Sequence, residues 1–580
     1  MTLSLPPLLQ VTRPAFSPIL AGMTEPEKAG SGHDPAPAAA EARFTRRVGV
    51  FSAGTLLSRI MGLVRESVFA YLFGAGFATD AFNVAFRIPN FFRDVFAESA
   101  LSAAFVPTFV QSLRRDREGL GHNPNSATGI GLCPAPQSWR FAANMLNTMT
   151  LVIGLLVIAG MVFAPQITRL IAHGFANQPD KLSLTTDLTR IMFPFLLFVA
   201  VAAWAMGILN SLGTFFTPAV APAAFNLVSI IVPVALYRAF EARGLNPILG
   251  MAIGVTLGAV AQLAVQVPDL YRHGFRYRPV LDFRDPDQRR VFLRWLPVVL
   301  GLASWQLNFL INTFLLALLP EGSVTWVSYA YRIQHLPAGL FGAAIGSVAL
   351  AEYSHQVTTD AIRDRFRHAM NLVATFTLPA SAILIALAVP VTRLIYQHGR
   401  FTAADTLLTA QALVLYSLGT WSAAATRNCA AGFYSLGNTR TPAIVAVVAV
   451  AGSIGMNLGL MGTLKFLSFP LATSVAQTAN FLLLFLLLRR RTQGLSGRAL
   501  VSGFALVFIA SVVAGLGAWL VARLFTMVLT VRSIPAQAAQ VLLAGCAGLA
   551  LYWLTLKLLK ADDSLLALRQ LVRRFSSRGG

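Results

Sequence analysis

Long apolar segments, separated by short polar connections, run through most of this chain of 580 residues. A helix that crosses a bilayer needs about 20 mostly apolar residues, and we count about fourteen such segments. Only 12% of the residues are charged, which is about half the share found in soluble globular proteins. Because a helix satisfies its own backbone hydrogen bonds in hydrocarbon, the pattern predicts an all-α polytopic membrane protein.

Arginine is concentrated in alternate connections between these segments. The clusters lie at 43–47, 114–117, 272–290, 363–367, 489–498 and 569–574. Cytoplasmic loops carry an excess of Lys and Arg, so we expect both termini and these loops to face the cytoplasm. The formal net charge is +22, but the basic residues are not gathered in one domain, so nucleic acid is not an expected partner.

The chain also repeats itself. The tetrapeptide Thr-Arg-Leu-Ile at 168–171 recurs at 392–395, and Ser-Leu-Gly at 211–213 recurs at 435–437. Such repeats are typical of transporters that move two lobes around a central site. We therefore predict two parallel six-helix lobes followed by two C-terminal helices. The predicted regions are a disordered cytoplasmic tail at 1–46, lobes at 47–272 and 273–490, two further helices at 491–562, and a basic cytoplasmic tail at 563–580.

The first predicted span carries charge where lipid would be expected. At 100° per residue, Ser58, Arg59, Gly62, Arg65 and Glu66 fall within about a third of the helix circumference. A charge at the bilayer centre costs about 2.5–3.5 kcal/mol on insertion scales, so such residues usually face protein or water. This stripe predicts one wall of a hydrated cavity.

The second predicted span has a similar stripe. At helical spacing it contains Asp80, Asn83, Arg87, Asn90, Asp94 and Glu98, with Arg93 near its edge. A less specific interpretation is that Arg59 with Glu66, or Arg87 with Asp94, merely neutralise each other.

Arg332 lies in the eighth predicted span and has no carboxylate close in sequence. Either a distant acid or a bound anion must balance its charge. The guanidinium fork suits phosphate because it donates two parallel hydrogen bonds. An arginine-lined cavity would therefore fit a pyrophosphate, although this pattern is not specific to one substrate.

The sequence contains no P-loop, no HExxH and no Cys/His cluster with zinc spacing. Its three cysteines are far apart, so neither a disulfide framework nor a metal site is expected. A membrane-embedded glycosyltransferase or polymerase should offer a carboxylate for acid–base chemistry, usually on a substantial outer loop. No long outer loop is predicted, so we expect a transporter without cofactor rather than an enzyme.

Several sequence blocks resemble the MurJ/MviN family of lipid II flippases. They lie at 57–66, 73–76, 79–82, 87–93, 96–98 and 104–107, with further likeness at 322–332 and 432–442. The resemblance extends over roughly residues 47 to 560. It implies two six-helix lobes of the multidrug/oligosaccharidyl-lipid/polysaccharide exporter superfamily, with two extra helices that extend a lipid-facing groove.

The resemblance also implies the site residues. Arginines and an acid of the first two spans, with the arginine of the eighth, are expected to line a central cavity; these are Arg59, Arg65, Asp80, Arg93 and Arg332. Arg87 and Glu98 match further charged positions of the family. Tyr331 and His335 stand where the family often has acids, and the seventh, eleventh and twelfth spans contain none, so a sodium site is not expected.

The expected activity is transfer of lipid II, a polyprenyl pyrophosphate carrying a disaccharide peptide, from the cytoplasmic to the periplasmic leaflet by alternating access. Expected partners are lipid II, membrane lipids and the cell-wall synthesis machinery. The main alternative is a flippase for another polyprenyl-linked oligosaccharide, whose pyrophosphate would suit the same cavity. A drug-cation carrier is disfavoured because arginine, not acid, predominates in the predicted cavity.

Overall fold

A computed structural model describes residues 54, 57–97, 99–119, 136–335, 359–492, 497–561, 564–566 and 568. Within these residues the secondary structure is entirely helical, which confirms the prediction of an all-α protein. The predicted N-terminal tail, Glu98, part of the eighth predicted span and most of the C-terminal tail lie outside the described residues.

The first half of the described chain contains nine helices. They are α1 (57–73), α2 (Phe77–Phe92), α3 (Ser99–Gly119), α4 (Pro136–Val162), α5 (Ala164–Ile171), α6 (Pro179–Ser211), α7 (Phe216–Ala242), α8 (Leu249–Ala264) and α9 (Val267–Arg272). A π-helical turn at Arg93–Ala97 follows α2. We refer to α1–α9 as the first half.

The remaining described helices follow in two groups. The second half comprises α10 (Pro286–Ala317), α11 (323–335), α12 (Thr359–Ala386), α13 (Ala388–Tyr396), α14 (Ala403–Leu418), α15 (Thr420–Ser435), α16 (Arg440–Leu464) and α17 (Ser468–Arg491). The C-terminal pair comprises α18 (Gly497–Val528) and α19 (Ile534–Leu558).

Eight helical stretches among the described residues are long and apolar enough to cross a membrane. One of them, Arg440–Arg491, contains both α16 and α17. Shorter helices such as α2, with 16 residues and a polar stripe, are not among the eight. The chain is therefore a multi-pass membrane protein, while the count of about fourteen spans remains a prediction.

Each half has a helix that contacts several of its neighbours. In the first half, α6 contacts α2, α4 and α8, and its apolar stretch is largely buried. In the second half, α17 contacts α14, α15 and α16. The C-terminal pair packs together and against α12 and α13. The last two helices thus extend the second half.

The helix α10 follows the predicted lobe boundary at 272/273 and contacts helices of both halves. It packs against α2, the π-helical turn and α3, and makes fewer contacts with α16. Its start is capped by the Asp285 side chain, which accepts hydrogen bonds from the backbone N–H groups of Asp287 and Gln288. The position of α10 in the sequence therefore does not by itself show which helices it packs against.

The internal repeat is visible in local structure. The repeated tetrapeptides lie in the short helices α5 and α13, where Thr168 and Thr392 are both buried. The repeated Ser-Leu-Gly segments end α6 and α15, and Gly213 and Gly437 both adopt positive φ angles, of 82° and 71°. A left-handed residue after a helix end is a position that glycine occupies without steric strain. The two copies thus form equivalent helix–turn–helix connections.

Candidate functional site

A cavity of about 430 Å³ lies among α1, α2, α10, α11, α14 and α17. Its ionisable lining consists of five arginines and one glutamate, a formal charge of +4; these are Arg59, Arg65, Glu66, Arg87, Arg93 and Arg332. Amides, hydroxyls and aromatic rings form much of the remaining wall and include Asn83, Asn90, Asn308, Asn312, Tyr331, Tyr416, Thr473 and Gln477. The structure thus brings together five of the predicted site residues.

Glu66 lies at the centre of this charge distribution. Its Oε1 accepts a hydrogen bond of 2.7 Å from Arg65 Nη2 and also forms an ion pair with Arg332 Nη1. The residue is only 5% exposed. A distant acid therefore balances Arg332, and this acid links α1 to α11 across the cavity. Glu66 was absent from the predicted site set, although its place beside Arg65 on the first polar stripe was a usable signal.

Arg65 is held between aromatic rings. Its guanidinium carbon lies 5.8 Å from the centre of the Phe69 ring and 5.4 Å from that of Phe225. Its Nε is buried and has no hydrogen-bond partner among the described residues. The side chain is therefore fixed in orientation and retains a donor that an oxygen-rich ligand could use.

On the second polar stripe, Asp94 forms its ion pair with Arg93, whereas the sequence had suggested a pair with Arg87. Asp94 Oδ1 accepts hydrogen bonds from Arg93 Nε and Nη2, at 3.1 and 2.7 Å. Asn90 and Gln306 donate to the other oxygen of Asp94. Arg87 instead lies over the Phe309 ring, 5.2 Å from its centre. Asp94 therefore compensates Arg93 and leaves Arg87 in contact with a neutral ring.

Arg59 is exposed at the rim of the cavity and has no ion pair among the described residues. The acid that could have balanced it within α1, Glu66, is engaged by Arg65 and Arg332. Arg59 thus contributes charge that an incoming anion would meet without a competing carboxylate.

Asp80 does not line this cavity and is fully buried in a contact between the halves. Its carboxylate accepts hydrogen bonds from the backbone N–H of Gly322 (2.7 Å) and of Thr325 (3.0 Å), and from the Thr325 hydroxyl (2.6 Å). Lys181 Nζ lies 3.5 Å from the same carboxylate, and both side chains are 2% exposed. Asp80 therefore caps the start of α11 from another helix, which is a structural position in this conformation.

Further contacts join the halves at the same end of the molecule. The Arg400 N–H donates to the carbonyl oxygen of Tyr71 at 3.0 Å, and the Ser67 hydroxyl donates to that of Ile395 at 2.5 Å. We call this region, formed by the connections at 74–76, 318–322 and 397–402 with the Asp80 contact, the closed end.

Two glycines make the close approach at the closed end possible. Gly74 and Gly399 have positive φ angles of 68° and 60°. A Cβ on Gly74 would lie 2.6 Å from the Arg400 carbonyl oxygen, and one on Gly399 would lie 2.3 Å from that of Tyr71. At each of these positions, a side chain would be excluded both by the positive φ angle and by the short distance to the opposite backbone.

The two departures from the family pattern near Arg332 form an aromatic contact. The rings of Tyr331 and His335 lie 4.8 Å apart, and Tyr331 also contacts Phe309 and Tyr416. Nearby, Asn457 of α16 donates to Asn312 at 3.0 Å, and Asn312 is also linked to Asn308. The described residues contain no group of three or more His, Cys, Asp or Glu placed to hold a metal ion.

Comparison with known proteins identifies the family. The model of the family described as "Lipid II flippase MurJ" matches residues 69–538, which is most of the chain. The chain belongs to the MurJ family. Sequence relatives agree with this assignment: a protein of Rhizobium meliloti described as a probable lipid II flippase MurJ is 33% identical over 450 residues, covering 76% of this chain and 80% of the relative. The "Lipid II flippase MurJ" of Burkholderia cenocepacia is 31% identical over 449 residues, covering 76% and 83%.

Solved structures extend the MurJ-family assignment to the fold. A structure of "Lipid II flippase MurJ, inward closed conformation" superposes with a TM-score of 0.69 at 24% identity, covering 88% of this chain and 99% of that one. An inward-facing multidrug transporter of the MATE family and MOP superfamily gives 0.57 at 16% identity, covering 77% and 96%. The fold is therefore that of MurJ and MATE transporters.

Membership of the MurJ family confirms the resemblance seen in the sequence. It also confirms that the chain belongs among flippases rather than enzymes. The roles of individual cavity residues remain predictions, and Glu98 lies outside the described residues.

Proposed function

We propose that this protein transfers lipid II from the cytoplasmic to the periplasmic leaflet of the bacterial inner membrane by alternating access. The observation that carries the proposal is the cavity with five arginines and one glutamate, in a chain of the MurJ family. The cargo is undecaprenyl pyrophosphate bearing a disaccharide peptide, and the cell-wall synthesis machinery receives it outside.

Fourteen spans would place the helices in two six-helix lobes followed by the C-terminal pair, with both termini in the cytoplasm. The positive-inside rule then supports a periplasmic position for the closed end, because the arginine-rich loop at 272–290 lies at the opposite end of α10 from the connection at 318–322. With the periplasmic side closed, the headgroup enters from the cytoplasmic leaflet.

The pyrophosphate binds by taking the place of a resident carboxylate. Arg65 and Arg332 come from opposite sides of the cavity and share Glu66 in the empty site. A phosphate oxygen can accept the same hydrogen bonds, and arginine donates to phosphate in a bidentate manner. Because Glu66 links α1 to α11, its displacement would couple binding to movement of the two halves.

The polyprenyl chain stays in an apolar environment while the headgroup crosses. A groove of about 940 Å³ lies between α12, α13 and α14 on one side and the C-terminal pair on the other. Its lining includes Leu378, Leu407, Phe508, Leu516 and Trp519. The groove supports the proposal because a long hydrocarbon chain could lie there in contact with the surrounding lipid.

Membrane potential can supply energy for the cycle. Moving one charge across 100 mV is worth about 2.3 kcal/mol. With a negative interior, outward transfer of an anion is favourable, and so is inward return of an empty cavity whose lining carries a charge of +4. Transport that is insensitive to voltage in reconstituted vesicles would contradict this part of the proposal.

The experiment that tests the function is exposure of lipid II on the outer leaflet of cells depleted of their own flippase. We expect the wild type to restore exposure, Arg332→Ala to fail at equal expression, and Arg190→Ala, an exposed arginine outside the cavity, to behave as the wild type. If Arg332→Ala also restores exposure, Arg332 has only a structural role. If the wild type reaches the membrane and does not restore exposure, another polyprenyl-linked glycan becomes the expected cargo.

A further inference from the structure

The groove beside the C-terminal pair occupies one part of the membrane-spanning region. On α18 it extends from Phe508 to Thr526, a length of ~27 Å at 1.5 Å per residue. On the other side it includes the end of α12, the part of α13 from Ala388 to Arg393, and α14. These segments adjoin the closed end, which the proposed topology places on the periplasmic side of the membrane. The end of the groove that contains Arg393, Arg523 and Thr526 therefore lies beside the outer leaflet.

The hydroxyl groups along the groove are already satisfied within their own helices. The hydroxyls of Ser381, Ser417 and Ser511 each donate to the carbonyl oxygen four residues earlier. Thr526 donates to the carbonyl oxygen of Arg523. The wall therefore offers a lipid chain an effectively apolar surface over most of its length.

The outer end of the groove is different because it contains two arginines without carboxylate partners. Arg393 is partly buried near the end of α13, and Arg523 lies near the end of α18. Among the described residues neither forms an ion pair, and the Arg523 guanidinium lies 5.4 Å from the centre of the Trp519 ring. Unpaired arginines in a membrane protein commonly mark a site for an anionic group.

Neighbours of both arginines in the chain belong to one packed cluster. Leu387, Ala518, Ala522 and Ala544 form one buried cluster, and Val391, two residues before Arg393, packs against it. Ala522 directly precedes Arg523. Arg393 on α13 and Arg523 on α18 therefore line the same groove, beside a shared patch of core.

A buried amide completes this end of the groove. Gln540 of α19 is 2% exposed, and its Nε2 donates to the Ala522 carbonyl oxygen at 2.8 Å. That bond fixes the amide, and its Oε1 has no hydrogen-bond partner among the described residues. An unsatisfied buried acceptor is costly, so a hydroxyl or amine of a bound molecule would stabilise it.

We propose that Arg393 and Arg523 bind the pyrophosphate of a polyprenyl-linked lipid in the outer leaflet, while its hydrocarbon chain lies in the groove and Gln540 accepts a hydrogen bond from a group beside the phosphates. The site takes the product after the headgroup has left the arginine-lined cavity. Two arginines match two phosphoryl groups, and one groove matches a lipid with one long chain. This inference rests on the proposed function, because it takes the flipped lipid as the ligand.

The test uses the full-length protein in nanodiscs, where both leaflets are accessible and no transport is required. A p-benzoylphenylalanine replaces Leu407, a groove residue that is 53% exposed, and radiolabelled undecaprenyl pyrophosphate is the probe. We expect the crosslinking yield to fall at least about tenfold in R393Q/R523Q, since each lost charge-assisted hydrogen bond is substantial. The control R169Q changes the exposed arginine at the equivalent repeat position in α5 and should leave the yield unchanged.

Three further comparisons decide the outcome. Excess phosphatidylglycerol should not compete with the probe; equal competition would mean a general phospholipid site and overturn the proposal. Equal yield in R393Q/R523Q and the wild type would also overturn it. Arg190→Ala, which changes an exposed arginine outside both sites, should retain the crosslink. Failure of the wild type to expose lipid II in cells would instead count against the proposed function alone.

Discussion

Glu66 joins two arginines from opposite sides of the cavity through one carboxylate oxygen. A carboxylate that is 5% exposed between two guanidinium groups neutralises part of the repulsion between them. The same contact connects α1 to α11, so the charge balance of the site and the relative position of the halves depend on one side chain.

Replacing Glu66 with Gln should separate ligand binding from transport. The amide cannot neutralise Arg65 and Arg332, so both guanidinium groups become available to phosphate and affinity for undecaprenyl pyrophosphate should rise about tenfold. Transport of lipid II should fall, because the ionic link between the halves is lost. Binding is measured with the purified protein and transport in flippase-depleted cells. Glu66→Asp, which keeps the charge, is the control; weaker binding in Glu66→Gln would contradict this account.

Asp80 and Lys181 form a buried pair at the closed end, each 2% exposed. Removing one partner of a buried pair commonly costs about 3–5 kcal/mol, because the other charge is left uncompensated. We therefore expect Asp80→Asn to lower the Tm of the purified protein clearly. The additional change Lys181→Met should recover part of the loss, since it removes the uncompensated ammonium group.

A surface pair provides the control for this double-mutant cycle. Asp187 and Arg190 lie 3.9 Å apart and are about half exposed, and exposed pairs contribute about 0–1 kcal/mol. Asp187→Asn should leave the Tm nearly unchanged. If Lys181→Met lowers the Tm of Asp80→Asn further, the ammonium group is not the source of the instability.

At the scale of elements, the closed end depends on helix connections that meet without side chains between them. Gly399 brings its own backbone against the Tyr71 carbonyl, and the adjacent Arg400 N–H donates to that oxygen. The connection after α13 therefore packs directly against the end of α1.

Gly399→Ala should open the closed end. Its Cβ would lie 2.3 Å from the Tyr71 carbonyl oxygen at a φ angle of 60°, so both strain and collision oppose the closed state. The measurement is labelling of Asn312→Cys in the cavity by an impermeant thiol reagent from the periplasm, in a background without the native cysteines. Labelling should increase. Gly437→Ala has a similar φ angle, 71°, with nothing within 4 Å, and should not increase it.

The sequence predicted the polar faces of α1 and α2 correctly but not the depth or partners of their residues. Helical spacing placed Arg87 and Arg93 on or near the stripe that does line the cavity. The same spacing included Asp80, whose partners Gly322 and Thr325 are known only once α11 is placed beside α2. Periodicity reports the direction of a side chain around one helix, whereas burial depends on the neighbouring helices.

For the whole molecule, hydropathy predicted the helical class, and the Ser-Leu-Gly repeat lies at two turns with similar φ angles at Gly213 and Gly437. They could not predict that α10 contacts α2 and α3 of the first half, because sequence order does not specify tertiary contacts. The sequence also could not show that Glu66 balances the charge of Arg332, because Glu66 lies on α1 and Arg332 lies on α11.

The topology can be tested with single cysteines in the background without native cysteines. Tyr277→Cys lies in the arginine-rich loop before α10, and Arg532→Cys lies in the connection between α18 and α19; both positions are exposed. In intact cells, an impermeant reagent applied from the periplasm should label Arg532→Cys and not Tyr277→Cys, since arginine-rich loops stay in the cytoplasm. Labelling of both sites after permeabilisation is the control, and the reverse pattern would invert the proposed orientation.

The carboxylate of Glu66 has a consequence for selectivity. Because it is attached to the wall of the cavity, it acts as a built-in competitor present at high effective concentration, whatever the composition of the cell. An anion gains entry only when its own affinity exceeds that of the tethered group. Inorganic phosphate and lipids with one phosphate would then be rejected more strongly than a pyrophosphate, and the empty cavity would be protected from abundant cellular anions.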